Sequence, residues 1–131
     1  LTDVSEGRIN AVLDWELSTL GHPYADLAYL LMGMKLPASD KKGMVSGLGQ
    51  IDWVTHGIPD EAQIVARYCA LTGSAKIENW DFYMAFSFFR LAAICQGVAK
   101  RALDGNASNA KANNVAGLVR PLAQLSMHYI A

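Results

Sequence analysis

The chain has 131 residues, 52% of them apolar, and a formal net charge of −1. That length suits one domain with a real core, and that composition argues against disorder. The near-zero charge leaves no electrostatic footprint for nucleic acid or for an anionic membrane.

No apolar run reaches the roughly 18 residues of a membrane span, since Arg90 interrupts the most apolar segment, Phe82 to Ile94. No basic n-region with a cleavage site marks a signal peptide. Cys69 and Cys95 lie within helical patterns and are read as reduced core thiols, which implies a cytoplasmic compartment. Asn106-Ala107-Ser108 has the form of a glycosylation acceptor, which means nothing without a secretory signal.

Residues 3–7, Asp-Val-Ser-Glu-Gly, predict a polar turn. Residues 8–14 are β-branched and apolar and predict a strand that delivers Asp14 at its end. A lone strand cannot satisfy its backbone groups, and Leu1-Thr2 supplies only a stub of a hairpin partner. Either the hairpin packs on helices alone, or its sheet belongs to sequence outside these residues. The first residue, Leu1 rather than Met, hints at a fragment.

Residues 15–23 predict a loop that positions Asp14 and Glu16, broken by Gly21 and Pro23. Residues 24–34 predict a helix around the single acid Asp26, and Pro37 stops its continuation. Residues 35–58 form a long irregular segment carrying Gly43, Gly47, Gly49 and Gly57. The spacing of the first three fits neither a Walker loop nor a dinucleotide fingerprint.

Pro59-Asp60-Glu61 predicts the start of a second helix, with proline in the first turn and acids on the positive end of the dipole. It runs to about Thr72, with Gly73 as its C-cap. Asn79 is the expected cap of a third helix, with Asp81 in its first turn. That helix runs to about Asp104 and would be roughly 35 Å long. Trp80, Met84, Phe88, Leu91, Cys95 and Val98 form one apolar stripe, and Phe82, Phe86, Phe89 and Ala93 a second. Two stripes predict a helix buried on most sides. Residues 106–114 read as a polar linker. A final helix spans about Val115 to Ile130, with Pro121 as an expected kink. The predicted fold is mainly α, with a short N-terminal hairpin or strand followed by about four helices.

Asp14 is the strongest candidate for chemistry. An acid at a strand end suits Mg²⁺, which takes one or two carboxylates together with phosphate oxygens. The plainer alternative is a loop acid that caps a nearby amide, and spacing leaves both open. Glu16 follows two residues later, which in an extended segment puts both carboxylates on one side. It either helps a metal through water, orients an acceptor, or is a solvated loop acid. Asp26 sits early in a helix among apolar residues and is expected to be partly buried, hence hydrogen-bonded. His22, His56 and His128 lack metal-ligand spacing and read as structural or exposed. Arg90 is expected to pair with a carboxylate or to snorkel rather than to contact a phosphate. The aromatics Trp80, Phe82, Tyr83, Phe86, Phe88 and Phe89 read first as core, and secondarily as an acceptor pocket.

The run Val12-Leu13-Asp14-Trp15-Glu16, then Gly21-His22-Pro23 and Ala25-Asp26-Leu27-Ala28, resembles the aminoglycoside phosphotransferase family of kinase-like enzymes. It looks closest to the branch fused to acyl-CoA dehydrogenases and found as stand-alone bacterial proteins. The likeness is specific through residues 8–34 and looser beyond, notably at Phe82-Tyr83-Met84-Ala85-Phe86 and Gln96-Gly97. It implies an α+β kinase-like fold, of which residues 1–131 would be a C-terminal lobe portion. Asp14 matches the Asp of the kinase Asp-Phe-Gly motif, which holds Mg²⁺ against nucleotide phosphates. Asp14 and Glu16 are thus the implied cofactor-binding residues, Asp14 the implied metal ligand, and Asp26 a structural brace for the catalytic-loop backbone. His22 replaces an acid common at that place in the wider family. The family's catalytic loop, His-Gly-Asp followed by Asn, is absent from these residues. The general base is therefore expected upstream of Leu1, and the chain alone is expected to be inactive.

The intact protein is then expected to transfer the ATP γ-phosphoryl group to a small-molecule hydroxyl with Mg²⁺, without nucleic-acid or membrane partners. Its acids between Lys35 and Asp104, namely Asp40, Asp52, Asp60, Glu61, Glu78, Asp81 and Asp104, are dispersed among seven bases, Lys41 and Lys42 included. A polycationic aminoglycoside needs clustered carboxylates, so a neutral or anionic acceptor with an apolar part is expected, such as a hydroxyacyl thioester. The rival reading is a non-catalytic helical interaction module or a degenerate kinase-like domain. A metal hydrolase built on Asp14 and Glu16 lacks the histidine ligands such sites use.

Overall fold

The N-terminal hairpin is shorter than its sequence predicts. In the computed structural model, which describes residues 1–38, 45–106 and 115–131, β1 (Thr2–Asp3) pairs antiparallel with β2 (Arg8–Ile9), Thr2 opposite Ile9. The Asp3 carboxylate closes the turn by accepting from the Ser5 and Glu6 amides and the Ser5 hydroxyl. The amides of Asn10 and Ala11 donate to the Leu1 carbonyl. Beyond them no strand among the described residues continues the pairing, so residues 10–14 form no ladder and the expected strand ends five residues early. Gly43, the charges of Asp40, Lys41 and Lys42, and residues 107–114 of the expected linker lie outside the described residues.

Four α-helices follow among the described residues, as expected: α1 (Pro23–Leu31), α2 (Glu61–Thr72), α3 (Trp80–Leu103) and α4 (Val119–His128). Pro23 starts α1 at the first helical position, where a missing N–H costs nothing. A 3-10 turn, Met32–Met34, extends it. The start of α2 differs from expectation. Pro59 lies outside it, and Asp60 is the cap of a full capping box in which its side chain accepts from the Gln63 amide while Gln63 accepts from the Asp60 amide. Gly73 ends α2 at φ 73, as its C-cap role requires. Asn79 does precede α3, but in the left-handed region at φ 55 and without a side-chain cap bond. Pro121 does not kink α4. It falls in the first turn, where its absent N–H has no intrahelical partner to lose.

α3 is the central helix. Met84 and Phe88 are fully buried, and with Leu91, Ala92 and Cys95 they pack on Ala28, Met32 and Leu36 from the α1 side and Leu122 from α4. Each such large side chain contributes about 1.5–3 kcal/mol when fully withdrawn from water. Ser126 of α4 donates its hydroxyl to the Ala85 carbonyl at 2.8 Å across this interface. A second cluster joins α2 through Ile64, Val65 and Tyr68 to Leu27, Leu31 and Met34. Both cysteines are buried and free, and burial pushes the Cys95 thiol up.

The second predicted stripe is not core. Phe82, Phe86 and Phe89 are 59%, 43% and 60% exposed. Helical periodicity identified an apolar face correctly, but α1 and α4 occupy only the opposite side. α3 also contains a window with mean hydropathy 1.4, apolar and long enough to cross a bilayer by composition. The interruption at Arg90 therefore does not exclude a span by itself, and packing against α1 and α4 accounts for the buried 44% of that window.

The glycines of the 45–51 segment have a packing role. The amides of Gly47, Leu48 and Gly49 donate to the carbonyls of Pro37, Gly33 and Leu36 at 2.8–3.0 Å. A Cβ on Gly47 would collide with the Gly33 carbonyl oxygen, and would lie 2.5 Å from the Leu36 Cβ and carbonyl oxygen. Backbone meets backbone here, and only glycine fits.

Candidate functional site

Asp14 stands at φ 61, ψ 37, just before the 3-10 turn Trp15–Leu17. A left-handed conformation is unusual for a residue with a side chain, and aspartate tolerates it better than most. The indole Nε1–H of Trp15 donates to the Val12 carbonyl at 2.9 Å, and the Ser18 hydroxyl to the Trp15 carbonyl at 2.7 Å. These bonds hold the chain reversal that presents Asp14. Because the segment is a turn and not a strand, alternation does not place Glu16 beside Asp14, which corrects the expected geometry.

Both carboxylates are exposed, and neither accepts a hydrogen bond from another described side chain. No group of three or more His, Cys, Asp or Glu among the described residues could hold a metal ion unaided. Asp14 and Glu16 fit Mg²⁺ as hard oxygen donors, in the manner of an ion held by one or two carboxylates and completed by phosphate oxygens and water.

Asp26 lies on the outer face of α1 and is exposed, contrary to the expected partial burial. Its helix turns Leu27 and Ala28 to the core, which leaves residue 26 facing out. The carboxylate is without a partner among the described residues. It lines an open cavity of about 470 Å³ with His22, Phe82, Tyr83, Phe86 and Arg90. His22 is exposed, and its ring lies 4.6 Å from Tyr24 and 5.3 Å from Tyr83, between centroids. Tyr24 meets Tyr83 and Tyr68 edge-on, and its hydroxyl donates to Ser74 at 3.1 Å. This aromatic cluster ties the loop after Asp14 to α1, α2 and α3. His56 and His128 are exposed. Arg90 pairs with no carboxylate among the described residues. Its guanidinium sits over the Tyr29 ring, 4.9 Å from the centroid, in a cation–π contact.

A second polar site was invisible to sequence reasoning. Lys35 Nζ lies 2.6 Å from Glu61 Oε2, and Trp80 Nε1–H donates to Glu61 Oε1 at 2.7 Å. The Glu61 contact raises the Lys35 pKa against the opposing effect of burial. These residues border a cavity of about 420 Å³ with Trp53. Only the acid at a helix start and the nearby tryptophan hint at it, and neither names its partner.

Residues 1–64, which include Asp14, Glu16 and Asp26, match the family described as "Phosphotransferase enzyme family". Among curated relatives of the chain, acyl-CoA dehydrogenase family member 10 of Mus musculus is 45% identical over 124 residues, which is 95% of the chain and 11% of the relative. Acyl-CoA dehydrogenase family member 11 of Rattus norvegicus is 42% identical over 123 residues, 93% of the chain and 15% of the relative. Probable acyl-CoA dehydrogenase IBR3 of Arabidopsis thaliana is 36% identical over 129 residues, 97% of the chain and 16% of the relative. The chain thus spans between 11% and 16% of the length of these relatives. No solved structure matches it significantly.

Proposed function

We propose that the intact protein is an ATP- and Mg²⁺-dependent small-molecule phosphotransferase acting on a hydroxyl group. The observation that carries this reading is the family match across residues 1–64, which encloses the Asp14 turn. Mg²⁺ would neutralise charge that develops on the transferred phosphoryl group. Asp14, exposed and without a competing protein donor, would hold it, with Glu16 as a neighbour acting through water. Asp26, equally unpartnered, would accept hydrogen bonds from the amides of the catalytic loop. The general base belongs to that loop.

The acceptor is a neutral or anionic hydroxyl compound with an apolar part, of the hydroxyacyl type. The cavity beside Asp26 supports this, since its walls include Phe82, Tyr83, Phe86, the His22 ring and Arg90, with Asp26 as its one carboxylate. Ammonium groups would find too few carboxylates there. The free, buried thiols support a reducing, cytoplasmic compartment.

The test is Mg²⁺-dependent ADP release by the intact protein with aminoglycosides, sugars, choline-like amines and hydroxyacyl compounds. The expected result is turnover of hydroxyacyl compounds that Asp14→Asn lowers by about a hundredfold or more. Preference for a polycationic aminoglycoside sinks the acceptor assignment. Wild-type turnover by Asp14→Asn removes Asp14 from the mechanism. A folded protein without turnover on any acceptor favours a non-catalytic interaction module.

A further inference from the structure

The exposed aromatic side of α3 continues past the cavity beside Asp26 into a second open cavity of about 660 Å³, and Phe86 and Arg90 line both. The second is walled by Phe89, Ile94 and Gly97 and ends at Arg101. These positions follow one another at helical spacing along one stripe. Gly97 lowers the floor, and the Arg101 guanidinium folds back toward it, with Nη1 3.8 Å from where a Cβ at residue 97 would stand.

Arg90 and Arg101 lie about three turns apart on this stripe, which is about 16 Å along the axis. Neither forms an ion pair with a described residue, whereas the neighbouring Lys100 is paired with Asp104. An apolar floor with an unneutralised guanidinium at each end has a specific complement. Its charge repels cations, and its aromatic rings give little to a small hydrated anion.

We infer that this outer face of α3 is a binding groove for an anionic amphiphile, whose carboxylate or phosphate groups meet Arg90 and Arg101 and whose apolar chain lies on Phe86, Phe89 and Ile94. As the tail site of the acceptor it rests on the phosphotransferase reading. As a binding site it is measurable without turnover, so the two fail separately.

The experiment is calorimetric titration of the intact protein with dodecyl phosphate, below its micelle concentration. Inorganic phosphate, dodecyl maltoside, dodecyl trimethylammonium and phosphatidylcholine–phosphatidylglycerol vesicles are the comparison probes. Saturable binding of dodecyl phosphate is expected, weakened about five- to tenfold in Arg90→Gln and in Arg101→Gln, the loss of one charge-assisted contact. Arg101 is exposed, so Arg101→Gln stays informative if Arg90→Gln loosens Tyr29. Inorganic phosphate and the cationic probe are expected to bind at least tenfold more weakly. Equal affinity for the maltoside, or unchanged affinity in both variants, overturns the groove. Vesicle binding lost in the same variants assigns the face to a membrane surface instead and likewise overturns it.

Discussion

The Lys35 ammonium reaches Glu61 Oε2 at 2.6 Å, and that oxygen, buried from solvent, has no hydrogen-bonding partner besides this ion pair among the described residues. The contact joins the end of the α1 unit to the first residue of α2, and Trp80 of α3 holds the other carboxylate oxygen. Three elements therefore meet at one acid.

Removing the lysine leaves a buried carboxylate oxygen without a partner. Lys35→Met should destabilise by about 1–3 kcal/mol, read from the denaturation midpoint. Lys35→Met with Glu61→Gln should recover part of that loss, as coupled residues do. The pH dependence has a definite sign. The folded-state pKa of Lys35 is raised above its ordinary 10.5, so its contribution is complete below that value and is lost as pH rises through the raised one. The gap between wild type and Lys35→Met should hold constant through neutral pH and close only in strong alkali. A gap that closes below pH 9 would contradict this pairing.

Gly47→Ala should destabilise by about 3 kcal/mol, the upper range for overpacking, because the atoms it meets are largely backbone and cannot rotate away. Gly21→Ala is the control. Nothing lies within 4 Å of its Cβ position, so its midpoint should move by no more than about 0.5 kcal/mol. Equal midpoints for the two variants would show that the segment relaxes freely.

The contrast between these glycines shows what a sequence carries. Helix positions were legible because apolar spacing, Gly73 and the Pro59-Asp60-Glu61 run are local signals. What covers an apolar face is not local, which is why the Phe82-Phe86-Phe89 stripe reads as core and proves exposed. The same holds for residues 10–14, whose strand-like composition has no partner among the described residues. Asp14 is singled out by its neighbours in sequence, and the turn in which it sits reads there as a strand end. Lys35 and Glu61 are separated by the irregular segment, and no periodicity links them.

Asp26 offers a test that separates a brace from a passive surface acid. In residues 1–131 alone its carboxylate is exposed and without a partner among the described residues, so Asp26→Ala should change the midpoint by no more than about 0.5 kcal/mol. In the intact protein the proposed catalytic-loop amides would lose their acceptor, and the same substitution should cost about 1–3 kcal/mol. The two midpoints, measured side by side, decide the matter. Equal small effects in both would mean that Asp26 braces nothing.

α2 is the element expected to open first. α3 packs directly on α1 and α4, whereas α2 is attached through the side chains of Ile64, Val65 and Tyr68 and through Glu61. Cys69 is its one buried residue. Its start depends on the Asp60–Gln63 capping box, whose two reciprocal bonds satisfy amides that the helix itself cannot. Asp60→Ala should remove about 1 kcal/mol, and a locally attached helix should express that loss locally. Amide exchange along α2 should accelerate about fivefold, as that free energy implies. Exchange at the α3 amides of Met84 and Phe88 should stay nearly unchanged, because their protection is set by the central core. If Asp60→Ala speeds α2 and α3 by the same factor, then α2 opens only with the whole molecule, and its side-chain attachments bind it as firmly as the core binds α3.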